Sequence, residues 1–185
     1  MPPTDQHIES LIKACQQNDQ TAQMEVYNRY CKAMYNIAFR IVKNGFEAED
    51  IMQDSFLTAF TKLNTLKDVK MFGAWLKKIV VNNSIGHYKA KMKQQEIPLE
   101  NVLYKIEDEP QYNVEDENLA TKAKQVLKKM NELKDNYRLA LTLHLIEGYD
   151  YEEISSIMEI SNANCRTTIS RAKESLRKKL QPMTA

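Results

Sequence analysis

The sequence predicts an all-α fold made of two small helical domains joined by an acidic linker. Only four glycines and five prolines interrupt its 185 residues, and apolar residues recur mostly at the spacing of a helix face. Acids and two prolines are concentrated between positions 96 and 117, a composition typical of a linker. We therefore expect an N-terminal helical bundle over 1–95, the linker over 96–117 and a C-terminal helical domain over 118–185.

Four helices are predicted in the N-terminal domain. The first starts near Asp5, and Asp19 is a suitable N-cap for the second because its carboxylate can accept bonds from free backbone N–H groups. Gly45 is expected to end the second helix, a third spans about 47–63, and a fourth starts at Phe72. Their predicted buried faces are, in order, Ile8, Leu11, Ile12 and Cys15; Tyr27, Tyr30, Met34, Ile37, Ala38 and Ile41; Met52, Phe56, Ala59, Phe60 and Leu63; and Phe72, Trp75, Leu76, Ile79 and Val80.

The predicted linker is strongly acidic. Eight acids stand against the single Lys105, a net of seven negative charges by subtraction. Pro98 and Pro110 interrupt any helix across this segment. Helical periodicity resumes at Leu119 and continues through LALTLHLIEGY.

The last segment, from Tyr151 to Leu180, has the pattern of a helix-turn-helix. A first apolar helix leads into a turn at Ile160, and Ser161 can cap a second helix. Apolar positions at spacings of four, three, four and four residues give that second helix one buried stripe. The predicted apolar positions are Ile154, Ile157 and Met158 on the first helix, and Cys165, Ile169, Ala172, Leu176 and Leu180 on the second.

The outer face of the second helix is polar and basic. Stepping about 100° per residue from Cys165 leaves arginine, threonine and serine side chains pointing away from the buried stripe. Six basic residues and one acid lie between 166 and 179, and such side chains suit base edges and phosphates in a major groove. A solvated basic face is the alternative, which the capped turn disfavours. The candidate duplex-binding residues are Arg166, Thr167, Ser170, Arg171 and Lys173.

A second basic segment, the acid-free stretch from Trp75 to Gln95, contains five lysines and no acid. Amides, an imidazole and a phenol ring among lysines can bond base edges, stack on exposed bases and neutralise phosphates together. Trp75 is expected in the core, and His87 has no second His or Cys at a metal-ligand spacing. The candidate residues for a separated strand are Lys77, Lys78, Asn82, Asn83, His87, Tyr88 and Lys89.

The predicted third helix carries a mainly polar stripe opposite its core side. Solvation alone explains its carboxylates, whereas a leucine at its centre favours a docking surface for a basic partner helix. We call this set the docking stripe: Asp50, Gln53, Asp54, Leu57 and Thr61.

Composition excludes several classes of protein. A formal net charge of +1 gives no global sign of a polyanionic partner,. The first 19 residues carry acids and no apolar core, unlike a signal peptide, and no run reaches membrane-spanning length. Three widely separated cysteines, Cys15, Cys31 and Cys165, argue against a disulfide framework and for a reducing compartment,. We expect a cytoplasmic protein without membrane insertion.

Sequence motifs for catalysis are also absent. We find no glycine-rich phosphate loop, no nucleophile motif and no closely spaced metal-ligand set, and the three histidines are isolated along the chain,. The sequence therefore predicts no enzyme, no cofactor, no bound metal and no catalytic residue.

These segments resemble the extracytoplasmic-function group of the sigma-70 family, the small sigma factors of bacterial RNA polymerase. EAEDIMQDSFLTAF at 47–60 is similar to the family's polymerase-docking helix, and FGAWLKKIVVNN at 72–83 to its promoter-melting helix. The segment 133–180 resembles the family's promoter-upstream domain. The match covers nearly all of the chain except the linker. It implies a transcription initiation factor that binds core RNA polymerase and directs it to specific promoters.

The resemblance also implies roles for single residues. Asp50, Gln53 and Asp54 match positions that grip a coiled coil on the largest polymerase subunit. Asn82 falls in the segment that reads the −10 element as single-stranded DNA, and the second helix of the helix-turn-helix reads the −35 element as duplex. The implied polymerase-binding residues are Asp50, Gln53, Asp54, Phe56, Leu57 and Phe60.

Further partners are implied in the same way: the flap of the second-largest polymerase subunit, promoter DNA and an anti-sigma factor. Two roles for the acidic linker stay open, a path into the positively charged interior of the polymerase or shielding of the basic surfaces of the free protein.

Four positions depart from the family pattern. Lys89 is found where the family usually has arginine, and Gly86 where aspartate is common. Glu159 replaces the usual turn glycine, and Thr168 replaces a frequent arginine.

One alternative function is a stand-alone helix-turn-helix regulator that dimerises through its N-terminal bundle. It predicts palindromic sites and tight duplex binding without polymerase. The acid-free stretch disfavours this alternative, because a dimerising bundle does not need such a surface.

Overall fold

The computed structural model describes residues 5–95 and 117–181, and within these ranges the chain forms helices and no strand. They divide into an N-terminal and a C-terminal compact unit. The predicted all-α fold with two helical domains is thereby confirmed. The predicted linker lies outside the described residues apart from Glu117, which begins the fifth helix. The domain boundaries stay a prediction.

The N-terminal unit contains four α-helices and two 3₁₀ turns. The long second helix packs against the other three, and the third packs against the fourth. Fully buried side chains include Ile12, Val26, Phe72 and Leu76, each of which stabilises the unit by about 1.5–3 kcal/mol relative to exposure. The elements are α1 (Asp5–Gln16), α2 (Gln20–Val42), α3 (Gly45–Thr61), the turns Leu63–Thr65 and Val69–Met71, and α4 (Phe72–Gln95).

The ends of α2 show one correct prediction and one error. Asp19 is the N-cap, and its Oδ1 accepts bonds from the backbone N–H groups of Thr21 at 2.8 Å and Ala22 at 3.1 Å. Gly45 does not end the helix. Lys43 takes the left-handed conformation there, with φ of 57°, and its ammonium lies 5.9 Å from the centre of the Phe39 ring. Gly45 instead begins α3.

Most predicted core positions are buried. Ile8, Tyr27, Tyr30, Phe60, Trp75 and Ile79 are only partly buried, because each lies at the edge of a helix interface. Leu63 is buried, as expected, but in the 3₁₀ turn that follows α3. Gly73 allows α4 to approach α2 closely, since a Cβ at this position would lie 3.2 Å from Cε1 of Tyr30.

The C-terminal unit contains four α-helices and a π-helical turn. The turn follows from a backbone bond between the Glu147 N–H and the Thr142 carbonyl, which are five residues apart. The helical periodicity predicted through LALTLHLIEGY therefore corresponds to α6 followed by this π turn, which ends at Ile146. α8 packs against α5, α6 and α7. The elements are α5 (Glu117–Asn131), α6 (Asp135–Leu141), the π turn Thr142–Ile146, α7 (Tyr151–Met158) and α8 (Asn162–Leu180).

α7 and α8 form the predicted helix-turn-helix. A capping box joins Asp150 and Glu153 at the start of α7,. Glu159 ends α7 in the left-handed conformation, and Ser161 caps α8 by accepting a bond from the Asn164 N–H at 3.2 Å. The predicted stripe is buried at Cys165, Ile169, Ala172 and Leu176, and partly buried at Leu180.

Candidate nucleic-acid interface

The docking stripe forms an exposed face of α3. All five of its side chains are exposed, and Leu57 keeps 66% of its surface accessible. An apolar side chain this exposed, flanked by carboxylates, is available for a partner to cover. The stripe therefore has the accessibility that a docking surface needs.

Phe56 has to be removed from the predicted polymerase-binding set. Its side chain is 2% exposed, and its ring centre lies 4.9 Å from that of Tyr27 in the core. A buried ring cannot contact a partner. Phe60, which is partly buried, lies beside it with ring centres 6.0 Å apart.

The candidate strand-binding residues divide into two groups on α4. Lys78, Asn82 and His87 are exposed, whereas Lys77, Tyr88 and Lys89 are partly buried. Asn83 is turned toward α3. Its Nδ2 donates to Oγ of the buried Ser55 at 3.0 Å, and that hydroxyl donates to the Ile51 carbonyl at 2.6 Å. Asn83 thus helps to hold α4 against α3, and its role in reading bases stays a prediction.

A carboxylate from α3 reaches the acid-free stretch. Oε1 of Glu47 lies 2.6 Å from Nζ of Lys91, and Oε2 lies 3.7 Å from Nδ1 of His87. The stretch is thus less positive in the fold than in the sequence. Sequence reasoning missed Glu47 as a site residue because 44 positions separate it from Lys91, and nothing local indicates the contact.

An open groove of about 550 Å³ runs between α3 and α4. It brings Asp54 and Leu57 of the docking stripe next to Asn82 and His87 of the acid-free stretch. The two candidate sets, predicted separately, therefore share one continuous surface. The lining residues are Ile51, Asp54, Leu57, Thr58, Asn82, Asn83, Gly86 and His87.

The outer face of α8 presents the predicted duplex-binding residues. Arg166, Thr167, Ser170 and Arg171 are exposed and Lys173 is partly buried. The Thr167 hydroxyl donates to the Ala163 carbonyl at 3.0 Å, so its oxygen remains an acceptor for an amino group of a base.

Arg166 is the one member of this set with contacts to an aromatic ring and a side-chain amide among the described residues. Its Nε donates to Oδ1 of Asn162 at 3.0 Å, and its guanidinium carbon lies 5.0 Å from the centre of the Tyr151 ring. Sequence reasoning missed Tyr151 and Asn162. The spacing of Asn162 and Arg166, four residues apart on one helix, was the available signal.

Burial raises the pKa values of two thiols and one phenol. It raises the pKa of Cys15 on α1 to about 11, and it raises the pKa of Cys165 on the buried face of α8 against the opposing charge of Arg166. Burial, together with the carboxylates of Glu147 and Glu153, raises the pKa of Tyr149 to about 12. These groups stay protonated near neutral pH, which does not suit a nucleophile.

The described residues were compared with the patterns of a metal site and of a membrane-spanning helix. Within residues 5–95 and 117–181, no group of three or more His, Cys, Asp or Glu side chains is arranged to hold a metal ion. No helix in the same ranges combines the length and apolar character needed to cross a membrane.

Comparison with known families matches both units. Residues 26–94 match sigma-70 region 2 and residues 123–176 match sigma-70 region 4. The RNA polymerase sigma-H factor of Pseudomonas aeruginosa is 27% identical, with 97% of each chain covered. The ECF RNA polymerase sigma-E factor of Haemophilus influenzae is 28% identical over 95% of this chain and 96% of its own. The ECF RNA polymerase sigma factor SigW of Bacillus subtilis is 28% identical over 95% of this chain and 98% of its own.

Solved structures share the fold. CnrH, determined in complex with the cytosolic domain of CnrY, gives a TM-score of 0.54 at 19% identity and covers 95% of this chain and 97% of its own. The sigma factor RpoE of Bartonella quintana, in complex with the anti-sigma factor NepR, gives a TM-score of 0.54 at 20% identity. The match covers 85% of this chain and 96% of that one.

Fold and surfaces together define a two-unit helical protein with a DNA-binding helix-turn-helix. The chain belongs to the extracytoplasmic-function group of the sigma-70 family, the promoter-recognising sigma factors of RNA polymerase.

Proposed function

We propose that this sigma factor works through three binding surfaces and no catalytic site. The docking stripe on α3 binds core RNA polymerase at the coiled coil of its largest subunit. The exposed part of α4 holds the separated −10 strand, and the outer face of α8 reads the −35 duplex. One observation carries this proposal: each unit buries its apolar stripe and leaves most of its candidate binding residues exposed or partly exposed.

We propose that α4 favours strand separation because it binds the separated strand, which is the product of melting. Lys78 attracts phosphate, while Asn82 and His87 line the groove and can bond or stack on an unstacked base,. Each base held in this way offsets part of the few kcal/mol, roughly, that unstacking costs. The chain thereby favours the melted form of a promoter without any covalent step.

Other partners follow from the same family membership. We propose that the C-terminal unit contacts the flap of the second-largest polymerase subunit, and that an anti-sigma factor restrains the free protein. The solved complex of RpoE from Bartonella quintana with the anti-sigma factor NepR supports the second of these proposals. The site of action is the cytoplasm, where polymerase and promoter DNA meet.

A promoter library tests the function directly. Core polymerase is incubated with the library, with and without this protein, and the transcripts are sequenced. The expected result is initiation from a defined subset of promoters only when the protein is present. Failure to bind core or to redirect initiation would contradict the proposal, and tight palindromic duplex binding without polymerase would support the stand-alone regulator.

Charge reversal tests the docking stripe. Asp50→Lys combined with Asp54→Lys should weaken core binding at least tenfold, because each lysine repels a basic partner that the carboxylate attracted. The control is Glu9→Lys with Glu25→Lys, the same charge change on α1 and α2. Both glutamates are partly buried and paired, with Lys70 and Arg29, so circular dichroism first establishes that this variant folds. Core affinity is measured by fluorescence anisotropy, and equal affinities for the two variants would count against this stripe.

A further inference from the structure

Three elements of the C-terminal unit meet at the Tyr151 ring. Arg166 of α8 places its guanidinium carbon 5.0 Å from the ring centre. His144 of the π turn stacks on the ring with centres 5.0 Å apart and an interplanar angle of 29°. Nδ1 of His144 lies 3.1 Å from the Tyr149 carbonyl, which fixes the imidazole. The ring is therefore a supported platform under the first turn of α8.

Two contacts restrict the orientation of Arg166. The ring defines the position of the guanidinium group, and Asn162 accepts a bond from Nε at 3.0 Å. An unrestrained arginine loses much rotamer freedom when it binds, and a side chain held in advance loses less. With Nε engaged, the two terminal nitrogens remain as a parallel pair of donors on an exposed side chain.

A parallel pair of donors has a specific complement in duplex DNA. The major-groove edge of guanine offers O6 and N7 as two adjacent acceptors, and arginine binds them in bidentate fashion. A phosphate can accept the same pair, but a phosphate contact carries no sequence information. The oriented guanidinium lies on the outer face of α8, the face that enters a major groove in a helix-turn-helix, where base edges are within its reach.

We propose that Arg166 reads a guanine of the upstream promoter element, and that Tyr151 and Asn162 are the positioning residues that aim it. This inference rests on the proposed function, in which α8 binds duplex DNA. Arg171 provides the contrast on the same face. It is exposed and has no ring or side-chain acceptor among the described residues, so it binds phosphate and attracts all sequences alike.

The experiment measures discrimination at single base pairs. Holoenzyme, reconstituted from core and the full chain, is titrated against a promoter from the library and against variants with each upstream base pair replaced in turn. The wild type should prefer G·C at one position by about tenfold or more. Arg166→Ala should abolish that preference at that position only. Arg171→Ala should weaken binding to every promoter variant equally. It should also reduce by about one the slope of log affinity against log salt concentration.

The positioning residues are tested by truncation and rescue. Tyr151→Ala and Asn162→Ala should each reduce the guanine preference severalfold with Arg166 still present. Tyr151→Phe keeps the aromatic ring and Asn162→Asp keeps the acceptor oxygen, so both variants should retain the guanine preference. Circular dichroism confirms the fold of each variant, and Asn162→Ala tests the inference even if Tyr151→Ala fails to fold.

The results separate failure of the proposed function from failure of either part of the inference. A wild-type holoenzyme without any upstream preference would overturn the proposed function and the inference together. A normal wild-type preference that both truncations leave intact would overturn only the positioning role. A uniform loss of affinity in Arg166→Ala, with a lower salt slope, would assign Arg166 to phosphate and overturn its role in base reading.

Discussion

Glu159 ends α7 in a conformation that costs most side chains free energy. Its φ of 57° and ψ of 45° lie in the left-handed region, where a Cβ is crowded by the backbone. Glycine is the usual residue at such a position because it lacks that Cβ. The departure from the family pattern at this turn is therefore a small local strain between the two helices of the DNA-binding motif.

Replacing Glu159 with glycine should stabilise the C-terminal unit by about 0.5–1 kcal/mol, because the strain is relieved. Native-state hydrogen exchange of α7 and α8 amides measures the change. Glu174→Gly is the matched control, an exposed position within α8, and it should destabilise the unit by about 1 kcal/mol. Slower exchange in the control, or faster exchange in Glu159→Gly, would contradict the assigned strain.

Thiol reactivity should differ among the three cysteines. Cys15 and Cys165 are buried, Cys31 is partly exposed, and burial raises the pKa of both buried thiols. Because the thiolate is the reactive form, Cys31 should react first with Ellman's reagent at pH 8 and the others only after unfolding. Alanine variants assign each phase, and rapid reaction of Cys15 in the folded protein would be inconsistent with this core.

At the scale of elements, α3 and α4 act as one surface. The bond from Asn83 to Ser55 and the pairing of Glu47 with Lys91 tie the two helices together across a groove. A partner on α3 and a strand on α4 would therefore meet at neighbouring side chains.

Gly86 lies within α4 beside this groove with open space around it. A Cβ there would meet nothing within 4 Å, so Gly86→Ala should stabilise the N-terminal unit by about 1 kcal/mol through helix propensity. Urea unfolding followed by fluorescence of Trp75, the single tryptophan, measures it. Gly73→Ala is the matched control, and its Cβ would press on Tyr30 at 3.2 Å. An equal gain in both variants would refute the packing argument.

Helical periodicity predicted most of these elements, and its failures have local causes. It located the buried stripe of α8 because Cys165 to Leu176 follow the helix period,. It placed the end of α2 wrongly, since Lys43 adopted the left-handed conformation expected of Gly45. It could not show that Glu47 neutralises Lys91 or that Asn83 turns inward, because those contacts depend on how one helix lies on another.

At the scale of the whole molecule, we expect the two units to contribute different kinds of DNA contact. The N-terminal unit presents amides and cations beside a groove, which suits unstacked bases, and the C-terminal unit presents a helix that suits a major groove. We expect promoter opening by this sigma factor to require both units bound to one polymerase at one promoter.

Binding of holoenzyme to a template with a preformed −10 bubble, compared with a full duplex of the same sequence, tests this account most directly. We expect the complete chain to bind the bubble at least tenfold more tightly than the duplex. Asn82→Ala with His87→Ala should remove that preference and leave core binding intact. Equal affinity of wild-type holoenzyme for bubble and duplex, or a bubble preference no greater than that of core polymerase alone, would contradict the claim that α4 holds the separated strand.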